Sequence, residues 1–281
     1  MKCNVVFTAD NHGNISQFKK TLEYARKSKA AVAIFGGDLF PKDMSFISMP
    51  GVQKFFFFEE LLPLLSSFHS ENPYIKIYLM MGNDDALGNL HEFINKTQSI
   101  VEWICDDKKG IRKKINVDFD IAGFSFLPPT QFLMKDWEFM ESKKIKKGIN
   151  VGGFVSTSNP SAPWKGMDLE LKPNLKEKID RVAYTENPEK LVFVAHYPPR
   201  GLFDFQDTGS QVIREYIDTY QPLISLHGHI HHIESTFSDR FFVRQENTIV
   251  ASVFNSPKFH SPYIIEFDLY NIAETIMRFQ V

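Results

Sequence analysis

The sequence predicts an α/β fold, and two observations carry the prediction. Five short apolar runs, at residues 6–13 (VFTADNHG), 31–40 (AVAIFGGDLF), 77–85 (IYLMMGNDD), 191–199 (LVFVAHYPP) and 223–232 (LISLHGHIHH), each read as a buried strand that stops at an acid, an amide or an imidazole. Between the first two, Ile15, Phe18, Leu22 and Ala25 recur at helical spacing across residues 14–30. Strand, helix and strand in that order make a βαβ unit, which needs a parallel sheet.

The other elements follow along the chain. Residues 41–51 contain Pro, Met, Ser and Gly and read as a loop beyond Asp38, where Lys42, Asp43 and Ser45 could line the crevice but are expected in solvent. Residues 52–68 hold four consecutive phenylalanines followed by EELLPLL. At helical spacing such a run covers more than one face, so it is assigned to the core rather than to a ligand pocket. Residues 87–95 read as a short helix and 100–127 as strands, with 106–110 (DDKKG) as a hairpin turn. The part 119–127 alternates poorly, as a strand covered on both faces does. Regular patterning stops at about 128–173, where Gly, Pro, Ser and Thr are scattered around a basic run. As a lid this segment would bring Thr130, Gln131, Asp136 and Trp137 to a substrate; as an irregular cap it would be packed by Phe132, Trp137, Phe139 and Trp164. Residues 175–186 read as a helix with Ile179, Val182 and Ala183 inward, and 210–220 as another. Residues 240–281 read as strands completing a second sheet, interrupted at a Ser-Pro turn by Asn255, Lys258 and His260, which could lie near the site. His69 and His91 fit no pattern and are assigned to the surface.

The strand ends carry the chemistry. Gly36 and Gly37 leave room for close backbone approach, so Asp38 can turn into a crevice at the carboxyl edge of a sheet. In order, the ends supply Asp10 and His12, Asp38, Asn83, His196, then His229 and His231. Asp10 and His12 are two residues apart, as are His229 and His231, which puts each pair on one side of an extended segment. Seven ligands exceed what one ion takes; two divalent ions about 3.5–4 Å apart and bridged by one carboxylate can use them all. Imidazole, carboxylate and amide suit Mn, Fe, Zn or Ni, with Mn expected to support activity.

The series D-x-H, G-D, G-N, a lone H and G-H-x-H, spread over positions 10 to 231, resembles the calcineurin-like metallophosphoesterase superfamily. The resemblance implies a four-layer α/β-β-α sandwich, two mixed sheets flanked by helices, with two divalent ions at the carboxyl edges of the sheets. It implies one ion on Asp10, His12 and His231, the other on Asn83, His196 and His229, and Asp38 bridging them. The activity implied is hydrolysis of a phosphate mono- or diester through a hydroxide shared by the ions. The chain departs from the pattern at Gly82-Asn83-Asp84-Asp85, where many members read G-N-H-D or G-N-H-E, and in this it resembles a subset of prokaryotic members. In much of the family that histidine contacts the phosphate and helps protonate the leaving group. Asp84 beside two dications stays an anion and cannot donate a proton. It is expected to orient substrate or water, leaving the reaction dependent on a good leaving group or on another acid such as His232. Asp38 and Asp84 are thus the expected catalytic residues, and Asn83, Asp84, Arg200 and His232 the expected substrate contacts, Arg200 as a bidentate partner of phosphate. His227 is expected behind the ligands.

Composition sets the remaining expectations. A chain of 281 residues with 43% hydrophobic content buries a sizeable core, and motifs in both halves argue for a single domain over 1–281. Net charge is −2 and no block of like charge exceeds the KKIKK of 143–147, which speaks against an extended nucleic-acid surface and so against a nuclease. Cys3 and Cys105 lie in apolar runs and are expected as reduced core thiols. The first ten residues hold one basic side chain and no cleavable apolar stretch, and no 18-residue apolar segment occurs, so a cytoplasmic protein without membrane contact is expected. The partner expected is a small phosphorylated substrate, with the oligomeric state open. A binding scaffold that keeps the fold but not the chemistry is the second reading; loss of the histidine at position 84 favours it and retention of all seven ligands opposes it.

Overall fold

Every apolar run read as a strand forms one in the computed structural model, which describes residues 2–42, 48–106, 111–141, 153–157, 174–183, 187–231 and 240–281. The first half runs β1 (Asn4–Thr8), α1 (Ile15–Lys27), β2 (Val32–Gly36), α2 (Met49–Phe56), α3 (Leu62–Glu71), β3 (Lys76–Met80), α4 (Leu90–Thr97) and β4 (Glu102–Trp103). The second runs β5 (Ile111–Lys114), β6 (Asp120–Phe124), α5 (Leu175–Ala183), β7 (Leu191–Ala195), α6 (Gln211–Tyr220), β8 (Ile224–His227), β9 (Phe242–Gln245), β10 (Thr248–Ser252), β11 (Tyr263–Asp268), α7 (Ile272–Thr275) and β12 (Met277–Gln280). They build two six-stranded sheets, ordered β12-β11-β1-β2-β3-β4 and β5-β6-β7-β8-β10-β9. Strands β1 to β4 are parallel, as are β6, β7, β8 and β10, and antiparallel strands close the edges at β12-β11, β5 and β9. Both sheets are mixed and flanked by helices, the α/β sandwich the sequence predicts.

Local chemistry explains the elements. Helix α1 starts where the Asn14 side chain accepts from the Gln17 N–H, and it buries Phe18, Leu22 and Ala25 against the first sheet. Strands β2, β6 and β7 are buried along their whole length because each is covered on both faces. The sheets touch directly: a Cβ at Gly36 would stand 2.5 Å from the Phe7 ring and 3.5 Å from Val194 of the opposite sheet. One continuous apolar core runs from β1 through both sheets to β11. Cys3 and Cys105 are buried free thiols within it. No helix among the described residues is long and apolar enough to cross a membrane.

Four expectations need correction. Met49 to Gly51, read as the end of a loop, form the first turn of α2. The phenylalanine run is only half core: Phe56 and Phe57 are buried, but Phe55 is 66% exposed. The run ends in a π-helical turn, Phe57–Leu61, in which the Leu62 N–H reaches the Phe57 carbonyl. That slip immediately precedes Pro63, which has no N–H and cannot sit inside an unbroken α-helix. The strands flanking 106–110 do not form a hairpin, since β4 pairs with β3 and β5 with β6 in the other sheet; residues 107–110 lie outside those described. The tail completes both sheets, with β9 and β10 in the second and β11 and β12 beside β1 in the first.

Of the irregular segment, 128–141 and 153–157 are described and Trp164 is not. Trp137 is buried and its indole N–H donates to the Asp85 carbonyl at 2.7 Å. Asp136 accepts from the Leu87 N–H at 2.9 Å and from the Ser156 N–H at 2.7 Å. Thr130 donates to Glu138, which pairs with the buried Lys135 at 2.9 Å. Thr130, Asp136 and Trp137 thus anchor the segment through these contacts. Helix α5 ends at Ala183; residues 184–186 lie outside those described.

Candidate metal centre

The carboxyl ends of β1, β2, β3, β7 and β8 meet at one crevice, and backbone hydrogen bonds set their loops against one another. The Asp10 N–H donates to the Gly37 carbonyl at 3.0 Å, and the His12 N–H to the Asp38 carbonyl at 2.8 Å. The buried Asp85 carboxylate accepts from Gly82, Leu39 and Phe40 N–H at 2.8, 3.0 and 3.0 Å, tying the loop after β3 to that after β2. Across the sheets, the His229 N–H donates to both Asp10 oxygens at 3.0 and 3.1 Å. Asp10, His12, Asp38 and His229 have φ of 58°, 42°, 52° and 66°, a left-handed backbone that residues other than glycine seldom adopt. Gly82 is required for space, because a Cβ there would overlap Asp38 Oδ1.

All seven strand-end residues converge. His12 Nε2 lies 3.1 Å from His231 Nε2, which is 3.7 Å from Asp10 Oδ1. On the other side, Asn83 Oδ1 lies 3.2 Å from His196 Nε2 and 2.7 Å from His229 Nδ1. Asp38 Oδ2 stands between the groups, 3.5 Å from His12 Nε2 and 3.3 Å from His196 Nε2. Asp10, His12 and His231 thus present ligand atoms within 4.8 Å of one another, as do Asp38, His196 and His229. The His196 ring is fixed by its Nδ1, 3.0 Å from the Gly36 carbonyl, which leaves Nε2 facing the crevice.

The electrostatics fit a cation. Burial lowers the pKa of His12 and takes His229 down to about 3 and His231 to about 4, so each is a neutral imidazole with a free lone pair. Burial, only partly offset by the His196 ring, pushes Asp10 up to about 7: its carboxylate is short of positive charge. At His196 the Asp38 and Asp10 carboxylates outweigh burial and raise the ring to about 10. Burial likewise disfavours the Asp38 anion, but His196 and His12 prevail and hold its carboxyl low. Two buried carboxylates, four imidazoles and an amide in one crevice could hold metal: Asp10, His12 and His231 form one possible ligand group, Asp38, His196 and His229 a second, and His12, Asp38 and Asp84 a third.

The other expected site residues divide. Asp84 is buried at the rim, its Oδ2 4.0 Å from His12 Nδ1 and 2.7 Å from the Lys42 ammonium. Lys42 is therefore both half-exposed and at the crevice, one of the two positions open to it from the sequence. Arg200 lies on the loop beyond Pro199, where its Nε donates to the Asp207 carbonyl at 3.2 Å. His232 lies outside the described residues, as do Asp43 and Ser45. His227 stands behind His196, its Nδ1 2.9 Å from the Ala195 carbonyl and 3.2 Å from that of Tyr197. Two contributors, Asp85 and Gln17, escaped sequence reasoning. Asp85 follows the ligand Asn83 by two residues, but its role depends on distant N–H groups. Gln17 and Asn255 bracket the first ligand loop: Asn255 donates to the Ala9 carbonyl at 2.8 Å and to Gln17 Oε1 at 2.9 Å.

The family model described as calcineurin-like phosphoesterase matches residues 3–232. The chain belongs to that family. Among solved structures it is similar to TT1561 of Thermus thermophilus, at 12% identity and a TM-score of 0.57 over 100% of this chain and 99% of that one. A dimetal phosphatase from Danio rerio is similar at 9% identity and a TM-score of 0.53, over 95% of each chain. At such identities the likeness shows the fold alone. No curated protein matches the chain. Family membership and the ligand clusters support a phosphoester hydrolase with a metal-binding centre.

Proposed function

We propose that this protein hydrolyses a phosphate mono- or diester of a small phosphorylated molecule, using two divalent ions held between its sheets. The observation that carries the reading is Asp38 Oδ2, 3.5 Å from His12 Nε2 and 3.3 Å from His196 Nε2, from where it could serve an ion on either side. Asp10, His12 and His231 would hold one ion and Asn83, His196 and His229 the other. Bound divalent ions supply Lewis acidity toward the phosphoryl group and acidify water near neutral pH.

The protein's own residues do the rest. Asp85 keeps the Asp38 and Asn83 loops in register, and His227 props the strand end that carries His196. The buried walls, from Ala9 to Val194, exclude bulk water from the carboxylates. Asp84 faces the crevice paired to Lys42; burial and the Asp38 carboxylate raise its pKa, but the Lys42 ammonium and bound divalent ions would favour the anion, so this position is assigned no proton for a leaving group. Turnover should therefore fall steeply as leaving-group pKa rises.

The test is the metal content of protein purified without chelator, then hydrolysis of a nitrophenyl phosphomonoester and a nitrophenyl phosphodiester after reloading with Mn. About two ions per chain and turnover of either ester are expected, both lost in Asp38→Asn. An Asp38→Asn protein with full metal content and activity would overturn the shared-ligand assignment. Two ions without turnover of any ester would move the reading to a scaffold.

A further inference from the structure

Position 84 holds an aspartate where much of the family has a histidine, and the structure shows what that aspartate carries. The Lys42 ammonium, on the loop after β2, lies 2.7 Å from Asp84 Oδ2. The Asp84 side chain is 7% exposed and that of Lys42 47%, so a buried anion presents a cation to solvent. The anion is itself locked to the centre, since the Asp84 N–H donates to Asp38 Oδ1 at 2.9 Å. On its other side the ammonium lies 4.8 Å above the Phe132 ring, which stands edge-on to His229 with centroids 5.9 Å apart. Lys42 thus spans the mouth of the crevice, from the His12 cluster to His229. Among the described residues it is the only lysine or arginine paired with a carboxylate of the site.

We propose that Lys42 binds the phosphoryl oxygens of the substrate, positioned by Asp84 and Phe132, and that it selects phosphomonoester dianions over diester monoanions. An ammonium has three N–H donors. Asp84 takes one and the Phe132 face is met by charge alone, which leaves donors for phosphate oxygens. The charge balance makes the choice. With Lys42 present the pair is neutral; without it, the Asp84 carboxylate faces the substrate unpaired, and its repulsion grows with the substrate's negative charge. A dianion is penalised about twice as much as a monoanion.

This inference rests on the phosphoesterase reading, and the experiment separates the two. Wild type, Lys42→Met, Lys42→Arg and the double variant Lys42→Met/Asp84→Asn are reloaded with Mn. Each is assayed with 4-nitrophenyl phosphate and bis(4-nitrophenyl) phosphate, and its affinity for inorganic phosphate is measured by calorimetry. Lys42→Met should lower kcat/KM for the monoester about tenfold or more, mostly through KM, and for the diester about threefold or less. Phosphate affinity should fall about tenfold, and Lys42→Arg should keep most of both. The double variant should recover the diester but not the monoester, because charge balance returns while the donors do not. An unchanged ester ratio with unchanged phosphate affinity in Lys42→Met overturns the proposal. So does full recovery of the monoester in the double variant, which would make Lys42 a screen for Asp84, and so does a wild type that turns over only the diester. If wild type turns over neither ester, the phosphoesterase reading fails and the phosphate titration decides alone. A tenfold loss in Lys42→Met then upholds Lys42 as the anion site, and equal affinity or no binding by wild type rejects it.

Discussion

The left-handed backbone at Asp10, His12, Asp38 and His229 costs on the order of 1 kcal/mol or more at each residue, and it persists because neighbouring groups over-determine it. Each of these residues leaves a buried strand and turns sharply, so that its side chain enters the crevice instead of following the sheet. Gly82 belongs to the same arrangement: its missing side chain is the space that the Asp38 carboxylate fills. Gly82→Ala should fold but lose about 1–3 kcal/mol in denaturant melts, with metal content below that of wild type. Gly51 in α2 meets nothing within 4 Å, so Gly51→Ala should keep full metal content and gain up to about 1 kcal/mol. Equal behaviour of the two variants would refute the steric argument.

At the scale of elements, what holds the centre is the register between loops that follow different strands. Asp85 is the main fastener, a buried carboxylate shared by N–H groups from two loops. Asp85→Ala strips three buried donors at once and should cost about 2–5 kcal/mol, with ion binding lost alongside; a variant as stable as wild type in urea would show that the loops hold without it. This is also where the sequence stops being readable. The ligands were legible because each ends an apolar run, and Asp10, Asp38, Asn83, His196 and His229 could be placed without knowing the sheet order. Asp85 was not, because its partners Leu39 and Phe40 are 46 and 45 residues away. Lys42 read as a solvated loop lysine, since nothing local shows that Asp84 is buried beneath it. The expected hairpin at 106–110 failed for a related reason. Strands β4 and β5 are close in sequence, but β4 continues the first sheet while β5 begins the second. Sheet membership is set by long-range pairing, and so β11 and β12 return to β1 with no signal in their own residues.

For the whole molecule, the division of ligands between sheets matters most. Asp10, Asp38 and Asn83 follow strands of the first sheet, and His196, His229 and His231 follow strands of the second. Elsewhere the sheets meet mainly through apolar side chains, which are non-directional, with polar contacts at one edge, where Lys113 pairs with Glu102 and Tyr78 donates to the Lys114 carbonyl. At the crevice they meet through buried carboxylates and imidazoles, which are matched in charge only when cations are present. Ion binding should therefore fasten the two halves together. With free metal about 100-fold above its dissociation constant, each independent site adds about 2.7 kcal/mol to the folded state. At about 2–4 °C per kcal/mol for a chain of this size, that is a rise in Tm of about 5–10 °C for one ion, reversed by chelator. Asp38→Asn, lacking the shared ligand, should show little of it. Hydrogen exchange separates fastening from local ordering. Mn should slow exchange together at the carboxyl ends of β1 and β2 in one sheet and of β7 and β8 in the other. Protection confined to one sheet would mean that the ions are held on one side only, and that the ligand set drawn from both sheets is wrong.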